Sequence, residues 1–281
     1  MLSFNDARLA RPSGTPVRYQ VTAGVAAVRE TPAPDGRLGT QALHGELVDV
    51  FHEEGEFGLC QLVRDRYTGW VNMDALSAPA LPQTHKISAL RTYCFSEPDI
   101  KSAPRFMLCL GARVATTGRT DGLWTECARA GWVHAHHLAS LDVFERDPVS
   151  VAERYLETPY LWGGRESLGL DCSGLVQQAF EACGVLLPRD SDMQAAWAGV
   201  PVENWQAPGA LQRGDLVFWE GHVGLMTSPE TLLHANAWHV AVEREPLAQA
   251  IARIRNVAGE VTGVRRVSLA ATGTPDWFRA G

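Results

Sequence analysis

One cysteine in this chain stands where a nucleophile would be activated. Cys172 lies in the motif Asp171-Cys172-Ser173-Gly174, directly before apolar residues at three- and four-residue spacing that predict a helix ending near Gly184. A thiol in the first turn of a helix faces unpaired backbone N–H groups and the positive end of the helix dipole. We therefore expect its pKa to be lowered. Asp171 has the residue type of an N-cap.

Cys172 also has a plainer interpretation as a small buried hydrophobic residue, which is the more common role of a lone cysteine. Two histidines favour catalysis instead, because each stands in a strand-like run: His222 in residues 222–226 and His234 in residues 232–236. A thiol nucleophile needs a base, and the base needs a partner that fixes its orientation. Cys172, His222 and His234 therefore form a candidate catalytic set.

The order and spacing of these motifs resemble NlpC-type cysteine peptidases, which are papain-like enzymes that cut peptidoglycan stem peptides. The resemblance covers about half of the chain. Its residues are Tyr160, Gly163, Gly164, Asp171, Cys172, Ser173, Gly174, Gly214, Asp215, Leu216, His222, Val223, Gly224 and His234. The resemblance implies that Cys172 is the nucleophile, His222 the general base and His234 the residue that orients it. It implies no cofactor and no metal.

The implied fold class is α+β, with a papain-like catalytic domain in which the helix of Cys172 packs on an antiparallel sheet. That sheet would carry His222 and His234. From the sequence pattern we expect its strands near residues 215–219, 222–226, 231–235, 240–244 and 261–267.

An internal repeat precedes this domain. Residues 27–77 and 89–140 both contain short β-type runs and close on Gly-Trp-Val, at Trp70 and at Trp132. The repeat predicts two small β-barrels and resembles bacterial SH3-like domains, which commonly accompany NlpC-type domains. We expect a 1–20 N-terminal extension, SH3-like domains at 21–78 and 85–142, and the peptidase domain at 148–281.

Composition limits the other possibilities. The net charge of −7 and the isoelectric point near 5.7 argue against nucleic acid and anionic membrane surfaces as partners. No apolar run has transmembrane length, and the first 18 residues lack the apolar stretch of a secretory signal, so a cytoplasmic location is expected. The six cysteines show no close-paired spacing, which is typical of reduced thiols.

Several other residues have structural interpretations that we prefer. His134, His136 and His137 resemble a metal cluster, but no carboxylate or cysteine stands near them in the sequence to complete a zinc site. Trp70 and Trp132 recur at matched positions of the repeat, which favours barrel core over a sugar-stacking surface. The five cysteines other than Cys172 are expected to be packing residues.

The two SH3-like domains narrow the resemblance to γ-D-glutamyl-diamino-acid peptidases of the dipeptidyl-peptidase VI type. These cut between D-glutamate and lysine or diaminopimelate in peptides with a free N-terminal L-alanine, during cell-wall peptide recycling. The resemblance implies muropeptide-derived peptides as substrates, and we expect a monomer. The substrate-binding residues that it implies are Asp171, Ser173, Tyr160, Ser191, Tyr67 and Glu46. An extra aromatic hydroxyl and an extra carboxylate in the first repeat alone, Tyr67 and Glu46, support this match.

Two alternative functions remain open at this stage. A catalytically silent module would bind wall peptides without cutting them, and a thiol acyltransferase would use the same cysteine and histidine on another acceptor. Labelling with a thiol-reactive probe, with Cys172→Ser as the control, separates the first alternative from an enzyme. A Cys172 thiolate paired with a His222 imidazolium would give a bell-shaped pH profile of kcat/KM.

Overall fold

The computed structural model describes residues 6–270 and 275–279. The chain divides into two compact units, one formed by the residues up to Val143 together with those from Phe278 onward, the other by Phe144–Trp277. In the described part of the chain, no helix has both the length and the apolar character needed to cross a bilayer.

The first unit consists of short strands with two turns of 3-10 helix, Met73–Ala75 and Ala135–His137. Its strands are β1 (Val17–Val21), β2 (Val25–Arg29), β3 (Leu38–Leu43), β4 (Leu47–Glu54), β5 (Phe57–Leu62), β6 (Thr68–Asn72), β7 (Leu76–Ser77), β8 (His85–Ile87), β9 (Arg91–Phe95), β10 (Pro104–Cys109), β11 (Arg113–Val114), β12 (Thr116–Asp121), β13 (Trp124–Cys127), β14 (Gly131–His134) and β15 (Leu138–Ser140).

These strands form one antiparallel sheet in the order β3-β2-β6-β5-β4-β1-β7 and two smaller sheets, β10-β9-β14-β13-β12 and β11-β8-β15. The repeat seen in the sequence is present in local structure. Asn72 accepts a hydrogen bond from the Asp74 N–H at 2.8 Å at the start of the first 3-10 turn, and His134 accepts one from the His136 N–H at 3.4 Å at the second. His134 thus has a capping role, as Asn72 does.

The two repeat tryptophans differ in burial. Trp132 is 7% exposed, whereas Trp70 is only partly buried and the neighbouring Val71 is fully buried. Strand alternation accounts for Trp70 and Val71, but Trp132 and its neighbour Val133 are both buried, and the Arg119 guanidinium lies 5.4 Å from the centroid of the Trp132 ring. Trp132 is thus buried as predicted, whereas Trp70 is only partly buried.

The second unit combines helices with a six-stranded sheet. Its elements, with the terminal helix that ends the described chain, are α1 (Pro148–Glu153), β16 (Arg165–Glu166), β17 (Gly169–Leu170), α2 (Cys172–Ala182), α3 (Ser191–Trp197), β18 (Val200–Pro201), β19 (Leu216–Trp219), β20 (His222–Ser228), β21 (Thr231–Asn236), β22 (Ala241–Pro246), α4 (Leu247–Ala258), β23 (Gly263–Arg266) and α5 (Asp276–Arg279).

The sheet has the order β18-β23-β19-β20-β21-β22, and all of its pairings are antiparallel. Helix α2 packs against β20 and β21, and all of its residues from Cys172 to Phe180 are buried. It stops at Ala182, and Gly184 follows with a φ of +85°, the conformation that favours glycine after a helix. The predicted α+β arrangement of a cysteine helix on an antiparallel sheet is confirmed.

Helix α4 was not predicted from the sequence. It follows β22 directly and buries Leu247, Ala250 and Ile254, which stand at three- and four-residue spacing. These three residues pack with sheet residues such as Met226 and Leu232 in one apolar cluster. Helix α4 therefore covers the part of the sheet that includes β21 and β22.

The expected domain bounds stay a prediction, but the two ends of the described chain bear on them. Strand β1 begins at Val17, inside the stretch 1–20 that was expected to be an extension, and it pairs with both β4 and β7. At the other end, Phe278 and Arg279 group with the first unit. All six cysteines are buried and none forms a disulfide. Cys94, Cys109 and Cys127 pack in one apolar cluster of the first unit, as expected.

Candidate active site

Cys172 is the first residue of α2, directly after its N-cap. The Asp171 carboxylate accepts a hydrogen bond from the Gly174 N–H at 2.7 Å, which satisfies one of the free donors of the helix start. The backbone of Gly164 lies so close to this turn that a Cβ on Gly174 would stand 2.3 Å from the Gly164 carbonyl oxygen. Glycine is therefore required at 174 for the loop of residues 163–164 to lie against the nucleophile's turn.

A buried arginine that the sequence analysis did not single out holds this turn in place. Arg189 is fully buried and donates to both carboxylate oxygens of Asp171, at 2.9 and 2.7 Å. It also donates to the Ser173 hydroxyl at 2.9 Å and to the Gly164 carbonyl at 3.3 Å. One guanidinium thus ties the loop and the first turn of α2 to the same carboxylate.

The Asp171 carboxylate has little capacity left for a substrate. It accepts hydrogen bonds from the N–H groups of Gly163 and Gly174, from the Ser173 hydroxyl and twice from Arg189. An ionised carboxylate offers about four lone-pair positions. A substrate amine would therefore have to share an oxygen with Arg189. The role of Asp171 and Ser173 in binding an amino terminus stays a prediction.

The two predicted histidines lie in contact on neighbouring strands. His222 begins β20, and its Nε2 lies 2.8 Å from Nδ1 of His234 on β21. His234 is fully buried. The Cys172 thiol lies at the start of β20, because it accepts a hydrogen bond from the backbone N–H of Val223, the residue after His222. The three predicted catalytic residues are thus brought together within one unit.

Two further residues extend this set. Nε2 of His234 lies 2.8 Å from Oε1 of Glu245 on β22, and the guanidinium of Arg253 on α4 donates to the same oxygen. Register places Leu232, not His234, opposite Glu245, so the contact runs diagonally between the strands. The hydrogen bonds form a continuous series from His222 through His234 and Glu245 to Arg253.

The pKa of the Cys172 thiol differs from the value that the sequence led us to expect. Burial raises the pKa of Cys172 to about 12, and the nearby Asp171 charge raises it further, whereas the Val223 N–H and Arg189 lower it. The expected lowering of this pKa is therefore wrong. The helix start is covered by other parts of the unit, and the loss of water outweighs the backbone N–H groups of Val223 and Ser173, which lower this pKa.

The pKa of the general base, His222, shifts in the opposite direction. The pKa of His222 is lowered to about 3, with burial as the largest cause; His234 and Arg253 also lower this pKa, and Glu245 opposes them. Burial also lowers the pKa of His234. Both shifts disfavour the thiolate–imidazolium pair that the sequence suggested for the resting site.

Tyr160 and Ser191 occupy the surroundings of the nucleophile. The backbone N–H of Tyr160 bonds to the Val240 carbonyl at 2.9 Å. Burial raises the pKa of the Tyr160 phenol, as do the nearby Cys172 and Asp171. Ser191 begins α3, whose Gln194 donates to the Ser173 carbonyl at 3.1 Å. Both residues thus belong to segments linked to the first turn of α2.

Tyr67 and Glu46 lie in the first unit, where both are buried. Glu46 forms an ion pair with Arg64 at 3.7 Å, and Arg64 also donates to Asp65 at 2.8 Å. The backbone N–H of Tyr67 bonds to the Asp65 carboxylate at 3.2 Å. The predicted contribution of these two residues to a substrate pocket stays a prediction.

One group of possible metal ligands overlaps the histidine series. Ligand atoms of His234, His239 and Glu245 all lie within 4.8 Å of one another. Arg253, however, already donates to the Glu245 oxygen that His234 contacts. A cation there would face a guanidinium at hydrogen-bond distance, so we interpret the group as a hydrogen-bonded series and assign no metal to it.

Two family models match separate parts of this chain. The profile of the NlpC/P60 family matches residues 157–258, which include Cys172, His222, His234 and Glu245, and the profile described as the bacterial dipeptidyl-peptidase Sh3 domain matches residues 28–76. Dipeptidyl-peptidase 6 of Lysinibacillus sphaericus is 29% identical over 238 residues, covering 77% of this chain and 86% of the relative.

Another relative matches the chain more locally. Gamma-D-glutamyl-L-lysine dipeptidyl-peptidase of Bacillus subtilis (strain 168) is 36% identical over 114 residues, which is 37% of this chain and 36% of that protein. A crystal structure of an NlpC/P60 family protein from Bacillus cereus has a TM-score of 0.73 at 19% identity, over 89% of this chain and 99% of that one, and shows the same fold. The second unit of this chain therefore contains a peptidase domain of the NlpC/P60 family, and the first contains a bacterial dipeptidyl-peptidase SH3 domain.

Proposed function

We propose that this protein hydrolyses the bond between γ-D-glutamate and a diamino acid in peptidoglycan stem peptides that carry a free N-terminal L-alanine. The observation that carries the proposal is the placement of the Cys172 thiol at the start of β20, beside the hydrogen-bonded pair His222 and His234. Relatives named for dipeptidyl-peptidase activity, one of them on γ-D-glutamyl-L-lysine, support the choice of bond.

The mechanism is acyl transfer to sulfur. The Cys172 sulfur attacks the amide carbon while His222 accepts the thiol proton, and the backbone N–H of Cys172 donates to the oxyanion that forms. His222 then gives its proton to the leaving amine, and an acyl-thioester remains. Water attacks the thioester with His222 as base, which releases the acid and restores the thiol.

The pKa shifts of Cys172 and His222 bear on the first step of the reaction. A separated thiolate and imidazolium are disfavoured by burial at both residues. Proton transfer therefore accompanies attack on the substrate and does not precede it. The charge that develops on His222 lies next to His234 and, through it, next to Glu245.

The biological role that we propose follows from the free amino terminus of the substrate peptide. In the intact wall the L-alanine amine is bound in an amide, so the substrate is a fragment already released from the glycan. We therefore propose a role in recycling wall peptides, carried out by a monomer in the cytoplasm. The match of Tyr67 and Glu46 to residues that close the amine pocket belongs to this proposal.

The test uses synthetic peptides. L-Ala-γ-D-Glu-L-Lys and its diaminopimelate analogue, each with a free or acetylated amino terminus, are incubated with the protein, and the products are identified by mass. We expect release of L-Ala-γ-D-Glu from the free peptides only, and no product with Cys172→Ala. Equal turnover of free and acetylated peptides would refute the dipeptidyl-peptidase specificity, and undiminished turnover by Cys172→Ala would refute the mechanism.

A further inference from the structure

The hydrogen-bonded series does not end at the histidine that contacts the base. We propose that Glu245 is a positioning residue that fixes the proton positions on both histidines, so that the imidazole nitrogen of His222 left without a proton is the one available to the thiol. The inference rests on the cysteine-peptidase chemistry proposed above and adds a residue to it.

The argument begins at the carboxylate. An ionised carboxylate only accepts hydrogen bonds, so Nε2 of His234, 2.8 Å from Oε1 of Glu245, must carry a proton. A neutral imidazole has one N–H, which leaves Nδ1 of His234 as an acceptor. Since that Nδ1 lies 2.8 Å from Nε2 of His222, the proton between them must belong to His222. Nδ1 of a neutral His222 is then the free base.

Glu245 is held in the state that this argument requires. Burial by itself would raise the pKa of Glu245, but the hydrogen bond from His234 and the charge and hydrogen bond of Arg253 outweigh it and lower that pKa. Arg253 is in turn held over the Trp238 ring, 5.5 Å from its centroid. The carboxylate therefore stays ionised and accepts from His234 across the working pH range.

Because His234 is buried, the Glu245 carboxylate decides which of its ring nitrogens carries the proton. The His234 side chain is 0% exposed, so water does not reach its ring nitrogens to exchange their protons. The Glu245 side chain is 11% exposed. Without the carboxylate, either nitrogen of His234 would be able to carry the proton. The tautomer with a proton on Nδ1 would leave two donors facing each other, or would force the proton of His222 onto the nitrogen that the thiol needs.

The experiment compares two carboxylates on the same strand. Glu245→Ala removes the acceptor, and Glu245→Gln keeps its shape but not its charge. Glu243→Ala and Glu243→Gln are the matched controls, because Glu243 lies two residues away and its side chain accepts from the backbone N–H of Arg244. We expect Glu245→Ala to lower kcat by about 10- to 100-fold with KM nearly unchanged, and Glu245→Gln to lower it less. Both Glu243 variants should stay within about twofold of the unchanged protein.

A second readout reports the protons directly and needs no substrate. Nitrogen-15 NMR of the imidazoles, with His234→Asn for assignment, should show His234 protonated at Nε2 and His222 protonated at Nε2. In Glu245→Ala we expect the His234 signals to become those of mixed tautomers. In Glu243→Ala they should be unchanged.

Two results would overturn the inference. One is His234 protonated at Nδ1 in the unchanged protein. The other is a folded Glu245→Ala variant that keeps its tautomers and its kcat. If the peptides of the proposed function are not cleaved at all, the NMR comparison still decides the role of Glu245, so the two proposals fail separately.

Discussion

Two of the carboxylate–arginine pairs in the second unit have different surroundings. Asp171 and Arg189 are both buried, and the carboxylate accepts from two backbone N–H groups and a hydroxyl as well as from the guanidinium. The Glu245 side chain is buried to a similar degree, at 11% exposed against 10% for Asp171, but its partner Arg253 is 21% exposed, and the Glu245 carboxylate accepts from a histidine next to the base. The Asp171–Arg189 pair holds backbone segments together, whereas the Glu245–Arg253 pair fixes the proton positions on His234 and His222. The role of each pair therefore depends on the other groups that donate to its carboxylate, and not on the ion pair itself.

The largest effect that would test this contrast is on stability. Arg189→Met leaves the buried Asp171 charge without its partner, and we expect a loss of about 3–5 kcal/mol in the free energy of unfolding. Arg253→Met should lose only about 1 kcal/mol, because the Arg253 side chain is 21% exposed and His234 still donates to the Glu245 carboxylate. Urea unfolding of both variants measures the difference. Similar losses for the two would contradict the division of roles.

The second prediction concerns the acid side of the pH profile of kcat/KM. The charges that act on His222 are those of His234, Arg253 and Glu245. Arg253 lowers the pKa of His222, so Arg253→Met should raise it and move the acid limb to higher pH. Glu245 raises the pKa of His222, so Glu245→Gln should move the limb to lower pH. The unchanged enzyme should keep its activity well below the ordinary histidine pKa of 6.5.

The matched control comes from the other pair. Arg189 is absent from the charges that shift His222, so Arg189→Met should leave the acid limb in place, even if the variant must be assayed at low temperature. A limb that moves equally in both arginine variants would mean that the two pairs share one electrostatic role.

The smallest effect is on the reactivity of the resting thiol. Because burial raises the pKa of Cys172 to about 12, the thiol is protonated below that pH, and alkylation by iodoacetamide should rise steadily from about pH 6 to about pH 10. Asp171→Asn should speed the reaction at a given pH, since the Asp171 charge raises that pKa. Cys172→Ala corrects for the other cysteines. A rate that levels off below neutral pH would indicate a thiolate at rest.

The sequence predicts the residues that bear reactive atoms better than those that govern them. Cys172, His222 and His234 stand in motifs with a recognisable order, and the structure brings them together. Glu245 and Arg253 have no local pattern, because the first reaches His234 diagonally across a strand pair and the second comes from the following helix. Their positions follow only from strand register and helix packing.

The remaining differences have physical causes of the same kind. The direction of the Cys172 pKa was missed because the helix dipole is visible in the sequence and burial is not. The spacing of Leu247, Ala250 and Ile254 did contain the signal for α4, although the stretch lies between two strands. Arg189 has no such signal, since only the folded chain brings it to Asp171.

The close backbone approach at Gly174 has a consequence for changing the specificity of this enzyme. A Cβ on Gly164 would stand 2.5 Å from the Gly169 carbonyl oxygen, and one on Gly174 would stand 2.3 Å from that of Gly164. Three stretches of main chain are stacked here with no room for side chains between them. Libraries that randomise positions 164 and 174 will therefore yield mostly misfolded protein. Leu161 and Trp162 are 40% and 52% exposed, so these two positions in the same loop should tolerate a change of side chain better than the glycines do.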